Sequence, residues 1–201
     1  MRAQALSVVA LAAALVAGGA RAQPVGRADV GAPAPAFSLR GADSASHRLA
    51  DFAGKVVVLE WTSPVCPFTA AKYRKGAIQA LQSKALTLGA AWLSIDTAAP
   101  GRPGHLTAAA ARARLARLHA RVTAFLFDET GSAGRSYGAK VTPSFFIVGK
   151  DGRLAFEGAM DDETPLKGRS PNYVADALDD LAAGRAVRVA ETRPYGCAVE
   201  Y

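Results

Sequence analysis

Apolar runs and helical stripes alternate along the chain, with turn residues between them. Val56 to Trp61 is nearly continuous in β-branched and apolar residues, which predicts a strand buried on both faces. Pro67 follows within a short turn and suits the first turn of a helix. Tyr73, Ala77, Ala80 and Leu81 then recur at helical spacing, predicting a helix from Phe68 to Lys84 that Gly76 weakens. Leu86 to Ile95 reads as a second buried strand, and Asp96 to Gly104 as a Pro/Gly loop. Thr107 caps a predicted helix over Ala108 to Ala120, and Thr123 to Phe127 is a third strand. A short helix ends at Gly138. Ser144 to Val148 and Arg153 to Phe156 flank Gly149-Lys150-Asp151-Gly152, a hairpin signal. Asp161 to Ser170 is a polar loop, and Asn172 to Ala183 is the closing helix, stopped by Gly184. Strands alternating with helices predict an α/β fold, a mixed sheet covered by helices on both faces.

The first residues change the picture of where this domain works. Leu6 to Gly19 is apolar, Met1-Arg2 precedes it, and Ala20-Arg21-Ala22 forms a small-residue cleavage pattern. That predicts a secretory signal peptide over residues 1–22, with a retained anchor as the lesser alternative. The expected organisation is residues 1–22 as signal, 23–186 as one domain and 187–201 as a C-terminal tail. A periplasmic or secreted protein is expected, with no membrane association after cleavage. The net charge of +7 falls to +5 without Arg2 and Arg21. Arg112, Arg114, Arg117 and Arg121 fit a solvated helical face better than a nucleic-acid surface.

The candidate chemistry lies in Ser63-Pro64-Val65-Cys66-Pro67-Phe68-Thr69. A thiol at a helix N-terminus faces unpaired backbone N–H groups and the positive end of the dipole. Both favour the reactive thiolate. The chain has two cysteines, Cys66 and Cys197, so one intramolecular pairing is possible. Whether their backbones meet is open at this point, and so is a tail cysteine with no role.

Three segments carry a family resemblance: Val30 to Leu39 followed by Leu49 to Lys55, the strand leading into Cys66, and Val141-Thr142-Pro143-Ser144-Phe145. In that order and at those separations they resemble the thioredoxin-like superfamily. The nearer likeness is to its redoxin branch, the alkyl-hydroperoxide-reductase/thiol-specific-antioxidant group. The resemblance implies a thioredoxin-like mixed β-sheet with an N-terminal hairpin extension and a C-terminal tail. It implies a cis proline at Pro143 against Cys66, and a groove lined by Thr142. Glu60 stands where thioredoxins keep a buried acid, with an edge-facing glutamate in water as the plain alternative. Ser63 holds a hydroxyl three residues before Cys66, as in peroxiredoxins.

The chain also departs from these patterns. Thr69 replaces the second cysteine of the dithiol motif, and Leu59 stands where peroxiredoxins have proline. Their activating arginine has no clear counterpart. The resemblance therefore implies an exported thiol oxidoreductase acting through Cys66 on peroxide or disulfide substrates, with Cys197 as resolving partner. Thr142, Pro143, Glu60 and Ser63 would complete the site. Its partners would be a thiol reductant or a disulfide-bearing protein. The alternative is a non-catalytic binding or scaffold protein stapled by a Cys66–Cys197 disulfide. His47, His105 and His119 are scattered, and no cofactor or metal is expected.

Overall fold

The computed structural model describes residues 28–162 and 171–201. The signal-peptide reading and most of the polar loop before the last helix lie outside the described residues. Strands β1 (Ser38–Gly41), β2 (Ser46–Arg48), β3 (Val57–Trp61), β4 (Ala91–Asp96), β5 (Ala124–Phe127), β7 (Ser144–Val148) and β8 (Leu154–Gly158) form one sheet. Their order is β2-β1-β5-β4-β3-β7-β8. β3 runs parallel to β4, and β4 to β5, while the β1–β5, β3–β7 and β7–β8 pairs are antiparallel. The expected hairpin extension is β1 with β2, which lengthens the sheet beyond β5.

The central strands are buried along their whole length because both faces are covered. Alternate residues divide between two cores. Leu59, Trp61, Leu93, Ile95 and Leu126 face α4 (Ser132–Tyr137) and the N-terminal lead-in, where Tyr137 packs 5.4 Å from Trp61, ring to ring. Val58, Trp92, Phe145 and Ile147 face the opposite way. There they meet Ile78 and Leu81 of α2 (Ala77–Thr87) and Val174 and Leu178 of α5 (Tyr173–Ala182). Ala111 of α3 (Ala108–Arg117) packs with Phe125 and Phe127 of β5. Helices on both faces of a mixed sheet are as the sequence predicts.

Two boundaries differ from the sequence reading. The helix expected over Phe68 to Lys84 is two helices, α1 (Pro67–Arg74) and α2. Gly76 sits between them at φ 70°, a left-handed conformation that breaks the run and re-aims the chain. The strand expected from Leu86 begins only at Ala91. Leu86 and Thr87 finish α2, and Gly89 at φ 76° turns the chain into β4.

The tail is part of the fold. Residues 190–192 hydrogen-bond to Glu157 of β8 through Glu157 N–H to Ala190 O and Thr192 N–H to Glu157 O. Beyond them β9 (Cys197–Ala198) pairs antiparallel with β6 (Val141–Thr142), a second two-stranded sheet.

Candidate active site

The site forms where β3, β4, the β6–β7 junction and the tail meet. β3 ends at Trp61, and a four-residue turn leads to Cys66, which occupies the N-cap of α1 with Pro67 as the first helical residue. Cys66 N–H points to the Ser63 carbonyl at 3.4 Å, and its own carbonyl accepts from Ala70 N–H at 3.0 Å, the first full helical turn. Cys66 thus sits at the helix start, where the first N–H groups lack intrahelical partners, although its side chain makes no capping hydrogen bond.

The peptide bond between Thr142 and Pro143 is cis. The Thr142 carbonyl oxygen is 3.1 Å from Cys66 Sγ. Cys66 is joined to Cys197 by a disulfide with Cα atoms 5.8 Å apart, so no S–H is present and this is a plain sulfur–oxygen contact. In the reduced form the thiol has an acceptor waiting there. Cys197 stands directly opposite Thr142 in the β6–β9 register.

Three contacts hold the tail in this register. Val199 N–H donates to Lys140 O at 2.9 Å. The Tyr201 hydroxyl donates to Ala139 O, and the Arg135 guanidinium lies 4.9 Å over the Tyr201 ring. On the other side of the disulfide Tyr195 packs edge-on to Phe68 with centroids 6.0 Å apart, and its hydroxyl donates to Asp161. Lys72 Nζ bonds the same carboxylate at 2.6 Å. Gly196 between these anchors has φ 144° and its Cα faces the Thr142 carbonyl, where no side chain fits.

A cleft of about 230 Å³ opens beside the disulfide. Ser63, Cys66, Thr142 and Cys197 line it, together with Asp96 and Glu200. Five of the six expected site residues thus converge: Cys66, Cys197, Thr142, Pro143 and Ser63 share one corner of the molecule. The Ser63 hydroxyl is at the cleft without a hydrogen bond to the sulfur. The Thr142 hydroxyl is buried with no hydrogen-bond partner among the described residues.

Glu60 is fully buried, so the edge-facing alternative does not hold. It points into the core away from the cleft. Trp92 Nε1 and Ser94 Oγ donate to it at 2.8 and 2.7 Å, and the Tyr73 hydroxyl at 3.2 Å. Gln82 Nε2 in turn donates to that hydroxyl at 3.1 Å. Burial raises the Glu60 pKa, and the hydrogen bonds from Ser94, Trp92 and Tyr73 pull against that rise.

The buried acid that does reach the cleft is Asp96, which the sequence places at the start of a loop. It is the last residue of β4, 2% exposed. Oδ1 accepts from Ala98 N–H at 3.1 Å, and Oδ2 is buried with no partner among the described residues. Burial pushes its pKa up to about 6, against the pull of the Ala98 N–H and of His105 and Arg114. A signal for it existed. Asp96 ends a buried parallel strand next to the one that leads into Cys66, and open α/β sheets place sites at the carboxyl ends of such strands.

Among the described residues no cluster of three or more His, Cys, Asp or Glu side chains is arranged to hold a metal ion, and no helix is long and apolar enough to cross a membrane.

The family model of the redoxins matches residues 29–176, most of the chain. The chain belongs to the redoxin family. No curated protein matches it. Three solved structures place this redoxin among its relatives in shape. An uncharacterised conserved protein from Geobacillus kaustophilus is 24% identical with a TM-score of 0.76, covering 86% of this chain and 92% of its own. A hypothetical protein from Sinorhizobium meliloti is 24% identical with a TM-score of 0.72, covering 88% and 96%. A candidate thiol:disulfide interchange protein, DsbE, from Chlorobium tepidum is 25% identical with a TM-score of 0.53, covering 65% and 84%. The redoxin fold, the helix-capping cysteine and its disulfide together support thiol oxidoreductase chemistry.

Proposed function

We propose that this redoxin is an exported thiol–disulfide oxidoreductase that cycles through the Cys66–Cys197 bond. The observation that carries the reading is the disulfide joining the start of α1 to a tail strand registered against Thr142. In the reduced protein the Cys66 thiolate attacks one sulfur of an incoming disulfide and expels the other as a thiolate. Cys197 then attacks Cys66 Sγ, the substrate leaves as its second thiol, and the Cys66–Cys197 bond closes. A dithiol reductant restores both cysteines and is itself oxidised. Thr142 and Pro143 hold the incoming sulfur beside Cys66, and Ser63 flanks the entrance. Glu60 acts on the site through the core network it anchors.

Disulfide is favoured over peroxide as substrate by the composition of the cleft. Among the described residues neither Lys nor Arg lines it, and its ionisable side chains besides the cysteines are Asp96 and Glu200. A peroxide oxygen gains from a nearby cation as it develops negative charge, whereas a sulfur leaving group needs less help. Export is supported by the apolar run and cleavage pattern at the N-terminus.

The test is the reduction potential of the mature protein, read by thiol trapping and mass in graded dithiol buffers. It is paired with turnover of a peptide disulfide and of hydrogen peroxide by wild type and Cys66→Ser. A potential between about −120 and −270 mV with peptide-disulfide turnover lost in Cys66→Ser supports the reading. A bond resisting reduction below about −300 mV marks a staple and supports a binding or scaffold protein instead. Faster turnover of peroxide than of disulfide reassigns the substrate.

A further inference from the structure

The disulfide-exchange reading leaves one proton unassigned. When Cys197 resolves the mixed disulfide, its thiol must lose a proton, and an ordinary cysteine is mostly protonated at neutral pH. We propose that Asp96, which lines the cleft shared with Cys66 and Cys197, is the acceptor of that proton, through its buried and unpartnered Oδ2. This rests on the exchange reading.

Position, hydrogen bonding and the state of the neighbouring charged groups carry the assignment. Asp96 lies at the carboxyl end of β4, beside the turn that ends in Cys66, and it lines the same cleft as both sulfurs. One oxygen is committed to Ala98 N–H, which fixes the carboxylate, while the other has no partner among the described residues. The charged groups around it do not neutralise it by direct bonding. His105 of the following loop pairs with Glu129 at 3.7 Å, and Arg114 of α3 acts on Asp96 only through space. Glu200, on the tail side of the cleft, is exposed to water. Glu60, the other buried acid near β3, has its oxygens occupied by Trp92, Ser94 and Tyr73 and does not line the cleft.

Cys66 is bonded to a substrate sulfur, Cys197 is a thiol and Asp96 a carboxylate. The proton of Cys197 passes to Asp96 Oδ2 as the Cys197–Cys66 bond forms. The bond from Cys66 to the substrate breaks and its electron pair leaves with the substrate thiolate. Cys197 sulfur is oxidised and the substrate sulfur reduced. Asp96 then returns the proton to the departing thiolate or to water. In reverse, a protonated Asp96 supplies Cys197 with a proton when a reductant attacks Cys66. A base with its pKa near 6 is ionised at neutral pH and close enough to that pH to work both ways.

The test uses the reduced full-length protein and dithiobis-nitrobenzoate as the disulfide probe. The first coloured thiolate reports attack by Cys66, and the second reports closure by Cys197. Closure is followed from pH 5 to 9. In wild type the rate should climb and level off near pH 6. In Asp96→Asn it should be slower at pH 7, on the order of 10²-fold, and keep rising toward about pH 8.5, the ordinary cysteine range. A wild-type closure rate that rises only near pH 8.5 overturns the proposal, and needs no variant to do so. Parallel profiles for wild type and Asp96→Asn also overturn it, even if the variant melts lower, because Asp96 is then a packing residue. Closure that fails in wild type at every pH overturns the exchange reading itself, a result distinguishable from the other two.

Discussion

Gly196→Ala is the sharpest probe of how the tail is seated. With the disulfide closed, an added methyl at Gly196 overlaps the Thr142 carbonyl oxygen and comes within 2.7 Å of the Thr142 carbonyl carbon. Both atoms are backbone at the cis peptide, so no side-chain rotation relieves the overlap. The φ of 144° is also one that alanine rarely adopts, at a cost of about 1–3 kcal/mol. These penalties apply only while β9 lies on β6. The open tail accepts alanine freely, and there alanine stiffens the chain, which favours closure by about 0.4–1 kcal/mol and offsets part of the penalty. The net penalty therefore falls on closure, and the overlap with a backbone carbonyl places it toward the upper end. At about 1.4 kcal/mol per 30 mV for a two-electron couple, the Cys66–Cys197 potential should become less negative by roughly 20–60 mV. The assay is equilibration in graded dithiol buffers with alkylation and mass readout. Gly184→Ala is the control, because Gly184 has φ 70° but open space around it and lies in the turn after α5. A Gly196→Ala potential within about 10 mV of wild type would refute the seating described for the tail.

Asp180 and Glu60 make separate predictions. Arg185 and Arg188 donate to the Asp180 carboxylate and hold its pKa at about 2. A depressed folded pKa stabilises above the ordinary aspartate range and is lost as pH falls through the folded value. Asp180→Asn should therefore melt lower than wild type at pH 7, with the gap closing between about pH 4 and 2; an equal gap at both ends contradicts this. Glu60→Ala strands the Trp92 and Ser94 donors in the core and leaves a void, so it should lose roughly 3–5 kcal/mol in denaturant unfolding with the disulfide intact. A loss below about 1 kcal/mol would mean those donors find other acceptors or water.

Much of the fold was legible because its central strands announce themselves. Val56 to Trp61 can only be a strand covered on both faces, and the Asp151-Gly152 turn marks β7 and β8. The α1–α2 break and the start of β4 were harder. A glycine inside a helical stripe reads as a weak point, and only the packing of α1 and α2 turns Gly76 into a corner. Leu86 is apolar enough for either element, and the decision belongs to Gly89. At the site, Cys66 was legible from its local helix start. Its pairing with Cys197 was expected as the one pairing two cysteines allow, but the register that brings them together was not legible, because β9 is two residues long and owes its conformation to β6 rather than to its own sequence. Asp96 escaped for a similar reason. As the last residue of β4 it reads locally as the start of the Pro/Gly loop, and the pairing of β4 beside β3 that makes it a site position belongs to the sheet.

The disulfide spans 131 residues of chain, from the first helix to within five residues of the C-terminus. Mechanically, the oxidised protein is a covalent ring with a short end after Cys197 and a longer one before Cys66 that carries β1, β2 and β3. A force pulling on those ends, such as that of a translocase or an optical trap, cannot extend the segment between Cys66 and Cys197. Reduction releases that segment to the load, about 450 Å of contour at 3.3–3.6 Å per residue. The redox state of one bond thus decides whether β4, β5, β7 and β8 share the tension that β1, β2 and β3 bear in either state.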